Sequence, residues 1–144
     1  MKKIMIVDDS KVVGLATKNS LEEIDPNYSV LYVDRGKKCL DLLEYNSFDL
    51  ILLDIEMPEM NGWQVFKSIR ENKKLKDMPI VFLTGREDDC SRAFGKIIAN
   101  AYIEKGIGIK ALKEKIESIF ENPIHIDETK EKIIFDALQK LIKN

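Results

Sequence analysis

Short, unbroken apolar runs alternate with amphipathic stretches five times over roughly 120 residues of this chain. The runs lie at 4–7, 30–33, 50–53, 80–83 and 102–103. A run with no polar interruption suits a strand buried on both faces, the situation of a parallel sheet. The stretches between them have helical spacing. The first opens at Ser10, a good N-cap, carries Val13, Thr17, Leu21 and Ile24, and stops at Asp25-Pro26. The second places Cys39, Leu40, Leu42 and Leu43 after Gly36, and the third begins near Asn61-Gly62 with Val65, Phe66 and Ile69. A fourth over 88–98 carries Phe94, Ile97 and Ile98; a fifth carries Leu112, Ile116, Ile119 and Phe120 before Pro123. This rhythm predicts an α/β fold, a five-stranded doubly wound parallel sheet with right-handed crossovers.

Composition narrows the function classes. A chain of 144 residues is one domain's worth, and 44% hydrophobic content excludes a disordered chain. A formal charge of −2 and a pI near 5.6 argue against a bulk electrostatic grip on nucleic acid or anionic membrane. Two cysteines, Cys39 and Cys90, and one histidine, His125, are too few for a disulfide framework or a thiolate and imidazole metal cage. Both cysteines read as reduced, packed thiols. The apolar runs fall far short of the ~20 residues of a spanning helix. The expectation is a soluble protein of the reducing cytoplasm, with no membrane insertion.

In doubly wound sheets, ligands bind at the carboxyl ends of the strands. Those ends carry Asp8 and Asp9, Asp54, Thr84 followed by Gly85, and Lys105. A single Asp at a strand end is ordinarily a helix cap, but five polar residues at four strand ends are not explained that way. Three ionised carboxylates repel one another. One divalent cation and one lysine bring the cluster to neutrality. Oxygen ligands without Cys or His point to Mg²⁺, which keeps several waters and takes one or two carboxylates plus phosphoryl oxygens. Such a site suits phosphoryl transfer onto a carboxylate, giving an aspartyl phosphate.

Four segments carry a family resemblance: Ile6-Val7-Asp8-Asp9-Ser10, then Leu53-Asp54-Ile55-Glu56-Met57-Pro58-Glu59-Met60-Asn61-Gly62, then Leu83-Thr84-Gly85, then Ala101-Tyr102-Ile103-Glu104-Lys105. Together they resemble the response-regulator receiver domain of two-component signalling, over about residues 2–121. The resemblance implies the flavodoxin-like strand order 2-1-3-4-5. It implies Asp54 as phosphoacceptor, phosphorylated by a sensor histidine kinase or histidine phosphotransfer protein. Mg²⁺ would be bound by Asp9, Asp54 and the Glu56 backbone carbonyl, with Asp8 acting through water. Lys105 would pair with one phosphoryl oxygen and Thr84 with another, while Gly85 leaves room for the acyl phosphate. Pro58 and Gly62 shape the loop after Asp54. Tyr102 stands where the family carries its switch aromatic. As Thr84 moves toward the phosphoryl, the Tyr102 ring would turn inward and repack the surface of the fourth helical stretch, the fifth strand and the fifth helical stretch.

Some positions need separate notice. The family usually follows the lysine with a cis proline, but Gly106 stands here; without proline a cis bond costs about 3–4 kcal/mol, so a trans or rearranged loop is expected. Glu56 and Arg86 each lie two residues beyond a site residue and could pair across the entrance to slow hydrolysis. The division expected is a receiver over 1–121 and a linker with an amphipathic helix over 122–144. That helix is capped by Asp127 or Thr129 and carries a stripe of Ile134, Leu138, Leu141 and Ile142. Twenty-odd residues are too few for an output domain, so output is expected through partner proteins. The last helix either packs on the receiver or serves a homodimer through 123–144. The chain is not expected to be an enzyme on an outside metabolite. One rival is a receiver fold kept only as a docking module. Another is a haloacid-dehalogenase-like phosphatase, which would need its nucleophile after the first strand in an Asp-x-Asp pattern. Nucleotide-binding glycine motifs are absent.

The pairing of Arg86 with Glu56 is open to a direct check. Arg86→Ala changes the lifetime of the phosphoryl group on Asp54, read by its decay in intact mass; an unchanged lifetime removes the pairing.

Overall fold

Alternate residues along each strand leave the sheet on opposite faces, so an apolar run feeds two cores at once. In the computed structural model, Met5, Val7, Ile51, Leu53, Ile80 and Phe82 join the core on one face. Ile4, Ile6, Leu50, Leu52, Val81 and Leu83 join the core on the other. The structure describes residues 1–85, 102–123 and 127–143, excluding the side chains of Thr84 and several residues of the last helix. The predicted helix over 88–98, with Arg86, Cys90 and His125, lies outside the described residues.

The strands are β1 (Lys2–Val7), β2 (Tyr28–Val33), β3 (Leu50–Asp54), β4 (Ile80–Thr84) and β5 (Tyr102–Glu104). They form one parallel sheet in the order β2-β1-β3-β4-β5, the order the resemblance implies. Helices α1 (Lys11–Ile24), α2 (Gly36–Tyr45), α3 (Gly62–Glu71), α4 (Ile109–Glu121) and α5 (Glu128–Lys143), with a short 3-10 turn over Lys73–Leu75, complete the described architecture. Helix α1 touches α4, and α2 touches α3. Among the described residues, no helix is long and apolar enough to cross a membrane.

Local chemistry sets the helix starts. The Ser10 hydroxyl accepts from the Val13 N–H at 3.3 Å and opens α1. At α3, Asn61 and Gln64 form a reciprocal capping box, satisfying two of the helix's orphan donors. Asp127 caps α5, its carboxylate accepting from the Lys130 N–H at 2.8 Å. Tyr28 donates to Glu117, tying β2 to α4. Cys39 is buried and free, and burial pushes its thiol up to about 12.

One stripe runs differently from the sequence reading, and another includes residues that reading left out. In α1 the buried residues are Gly14 and Leu21, whereas Val13 is 41% exposed. The first turn of α1 presents Gly14 to the Tyr32 ring, and this rotates Val13 outward. In α5 the contacts run through Ile133 and Phe135, both packed against the first core. The expected stripe passes over these two residues; its own members Ile134, Leu138, Leu141 and Ile142 have side chains outside the described ones. Phe135 meets Trp63 edge-on at 6.2 Å and Phe66 at 5.5 Å. The last helix therefore packs on α3 of its own chain.

Phe135→Ala should lower the unfolding free energy by about 2 kcal/mol, less than a fully buried Phe because Phe135 is half-buried. Trp63 is the chain's one tryptophan, so its emission in a urea titration reads both the midpoint and the loss of the ring contact. An unmoved midpoint and spectrum would show that α5 is not seated on α3.

Candidate functional site

The sheet's register builds the site. Val7 pairs with Leu53 across β1 and β3, so the next residues, Asp8 and Asp54, leave the sheet side by side. Asp54 pairs with Leu83 and Thr84 with Glu104, which delivers Lys105 to the same rim. Asp8 is fully buried and Asp54 is 3% exposed, whereas Asp9 is exposed. Carboxylate oxygens of Asp8, Asp9 and Asp54 all lie within 4.8 Å of one another. The Lys105 ammonium stands 3.2 Å from Asp8 Oδ2 and 3.0 Å from Asp54 Oδ2.

Each buried carboxylate is held by the turn that follows it. Asp8 Oδ1 accepts from the Ser10 N–H at 2.9 Å, and Asp54 Oδ1 accepts from the Glu56 N–H at 3.3 Å. Both are side-chain turns of the kind Asp favours. They fix one oxygen of each acid and aim the other inward. Those inner oxygens, Asp8 Oδ2 and Asp54 Oδ2, accept no hydrogen bond of ordinary geometry; the lysine charge faces them. Gly62 closes the loop after β3, its N–H donating to the Ile55 carbonyl at 2.9 Å. A Cβ on residue 62 would stand 2.5 Å from the Asp54 carbonyl oxygen, so the loop can close this tightly only on glycine.

Burial pushes the Asp54 carboxyl up to about 7; Lys105 opposes the rise and Asp8 and Asp9 add to it. For Lys105, burial favours the neutral amine, but facing Asp54 and Asp8 outweighs it and holds the ammonium above its ordinary value. Three acids against one base leave a local excess of negative charge. The donor set is all oxygen, and its two buried inner oxygens share a single lysine. That is the chemistry a small hard divalent cation satisfies. An open cavity of about 250 Å³ adjoins the acids, lined by Asp9, Asp54, Glu56, Gly85 and Lys105 among others.

Of the sequence-predicted residues, Asp8, Asp9, Asp54 and Lys105 therefore converge at one rim. Thr84 ends β4 at the rim, its side chain outside the described residues. Gly85 and Glu56 line the cavity. Tyr102 is 8% exposed and belongs to the core that contains Met5 and Phe82. Gly106 takes a φ of +86°, and no cis peptide occurs among the described residues; the loop after Lys105 turns through the left-handed region that glycine allows. One site neighbour escaped the sequence reading. Tyr32 donates its hydroxyl to the Asp8 backbone carbonyl at 2.7 Å. A tyrosine inside the apolar run of β2 was the available signal, since a buried phenol needs an acceptor.

Residues 4–117 match the family model for the response regulator receiver domain. The chain is 36% identical over 120 residues to the chemotaxis protein CheY homolog of Campylobacter jejuni, covering 81% of this chain and 91% of that one. It is 32% identical over 128 residues to the transcriptional regulatory protein CrdR of Helicobacter pylori. That match covers 87% of this chain and spans 58% of the relative's length. Among solved structures, the signal receiver domain of a histidine kinase from Syntrophus aciditrophicus superposes with a TM-score of 0.70 at 25% identity. The match covers 89% of this chain and 96% of that one.

The raised Asp54 carboxyl predicts a pH dependence of stability. An unfolded Asp titrates near its ordinary 3.8, the folded one near 7. Between those values the folded chain binds the extra proton, so stability from this group rises as pH falls through about 7. In metal-free buffer the urea midpoint at pH 5.5 should exceed that at pH 8 by more in the wild type than in Asp54→Asn. Equal pH dependence in the two proteins would show that Asp54 titrates normally.

Proposed function

As the chain belongs to the response regulator receiver domain family of two-component signalling, we propose that Asp54 accepts a phosphoryl group and that the acyl phosphate resets the protein's partner-binding surface. The observation that carries this is the buried Asp54 carboxylate, 3.0 Å from Lys105 and within a cluster of three acids. The donor is the phosphohistidine of a sensor histidine kinase or of a histidine phosphotransfer protein. An Asp54 oxygen attacks phosphorus in line, the N–P bond breaks, and the imidazole leaves. Lys105 then takes a phosphoryl oxygen as partner, and the Thr84 hydroxyl takes another. Gly85 adds no side chain to crowd the group. Glu56, at the cavity wall, stands where it can meet the water that ends the signal.

The all-oxygen cluster fits Mg²⁺, with Asp9, Asp54 and the Glu56 backbone carbonyl as direct ligands and Asp8 acting through water. When bound, Mg²⁺ supplies neutralisation of the phosphoryl oxygens and keeps Asp54 ionised. Output follows from β5. Tyr102 lies three residues before Lys105 and is already buried, within the core that holds Phe82. A shift of Thr84 toward the phosphoryl biases the packing of that ring, and the surface around β5 and α4 reports it to a target protein. The protein acts through this surface and not by turning over an outside metabolite.

Incubation with acetyl phosphate and Mg²⁺, followed by intact mass, should show one added phosphoryl. The adduct should be absent without Mg²⁺ and absent in Asp54→Asn. No adduct despite bound Mg²⁺ would favour a docking module, and repeated turnover of an outside phosphate ester would favour a phosphatase.

A further inference from the structure

We propose that Tyr32 is a positioning residue for the cation site, its hydroxyl fixing the peptide that carries Asp8 and Asp9. The proposal rests on the cation-binding reading above and adds to it a residue from the sheet's edge strand. Tyr32 pairs in register with Ile6, two residues before Asp8. From there its ring reaches past the end of β1, and the hydroxyl donates to the Asp8 carbonyl at 2.7 Å.

That carbonyl belongs to the peptide joining Asp8 to Asp9, where the chain leaves the sheet. On its N-terminal side the path is set: the Asp8 N–H still donates to the Val33 carbonyl at 3.1 Å. On its C-terminal side the Ser10 N–H returns to Asp8 Oδ1 at 2.9 Å. Holding the oxygen between these two points fixes the plane of the peptide. The plane in turn sets the directions in which the Asp8 and Asp9 side chains leave the backbone. Asp9 is exposed, so packing does little to aim it and backbone orientation carries more of that task.

Helix α1 is shaped to admit the ring. A Cβ on Gly14 would stand 2.1 Å from Tyr32 Cε1 and 2.4 Å from Cδ1. Any larger residue at 14 must displace the ring and with it the hydroxyl. A phenylalanine at 32 would fill the same space but donate nothing. The ring's packing and the hydroxyl's bond are therefore separable by substitution.

The test uses Mn²⁺, which oxygen ligand sets accept, with free ion counted by its electron paramagnetic resonance signal. Tyr32→Phe should weaken Mn²⁺ binding about three- to tenfold, the worth of one hydrogen bond. Gly14→Ala should weaken it in the same direction, and the double variant should do no worse than the weaker single one. A metal-free urea titration of each variant gives the packing effect separately. If Tyr32→Phe lowers the urea midpoint but binds Mn²⁺ like the wild type, the hydroxyl is only structural and the proposal is overturned. Should Gly14→Ala fail to fold, Tyr32→Phe alone decides. If the wild type takes no Mn²⁺ at millimolar concentration, the cation reading fails and the proposal falls with it; wild-type binding with an unchanged Phe variant overturns this proposal alone.

Discussion

The Lys105 ammonium facing Asp8 and Asp54 is the contact on which the site depends. Two carboxylates at the ends of adjacent strands cannot be buried as a bare ionised pair, because desolvation and mutual repulsion both oppose it. One lysine offsets part of that cost, and protonation of Asp54 near neutral pH offsets more. The arrangement is thus left short of positive charge by construction. A site short of charge is responsive to any group that brings or removes it. A structural ion pair with equal partners would be inert by comparison.

The surrounding backbone serves this contact at several points. The turns after β1 and β3 each return an N–H to their own acid. Gly62 lets the β3–α3 loop lie against the Asp54 carbonyl, and Gly106 lets the chain turn after the lysine. Each of these devices fixes one oxygen or one backbone direction and leaves the inner carboxylate oxygens facing the lysine. The parallel register then brings acids and base together without any loop having to reach far. Rigid strands set positions, and short turns set orientations.

Much of this was legible because the fold is written in simple patterns. Strands buried on both faces leave unbroken apolar runs, so strand positions and strand-end residues could be read directly. Helix stripes were less legible. Val13 looked inward by spacing, but Gly14 had to face the Tyr32 ring, and a glycine contributes nothing to an apolar count. Phe135 was passed over because its ring contacts with Trp63 and Phe66 help seat α5, and a stripe drawn on aliphatic spacing does not register them. Tyr32 was hidden for a similar reason: its ring counts as apolar in the run, while its function rests on one oxygen. Arg86 and the fourth helical stretch lie outside the described residues, so the sequence reading there stands alone.

Geometry also ties the charge state of the rim to the core. Lys105 is carried by β5, a strand of three residues. Two of them, Tyr102 and Ile103, are buried in opposite cores. A short strand has few ladder bonds to hold it against a pull at its end. On the proposed reading, a phosphoryl group on Asp54 would compete for the ammonium, Lys105 would loosen from Asp8 or share itself, and either change would act on the segment that positions Tyr102. Asp8, fully buried, would then lose part of its counter-charge. Phosphorylation would therefore alter the charge balance of both buried acids, because they share one lysine. A readout at β5 would follow from the lysine's attachment to the end of that strand.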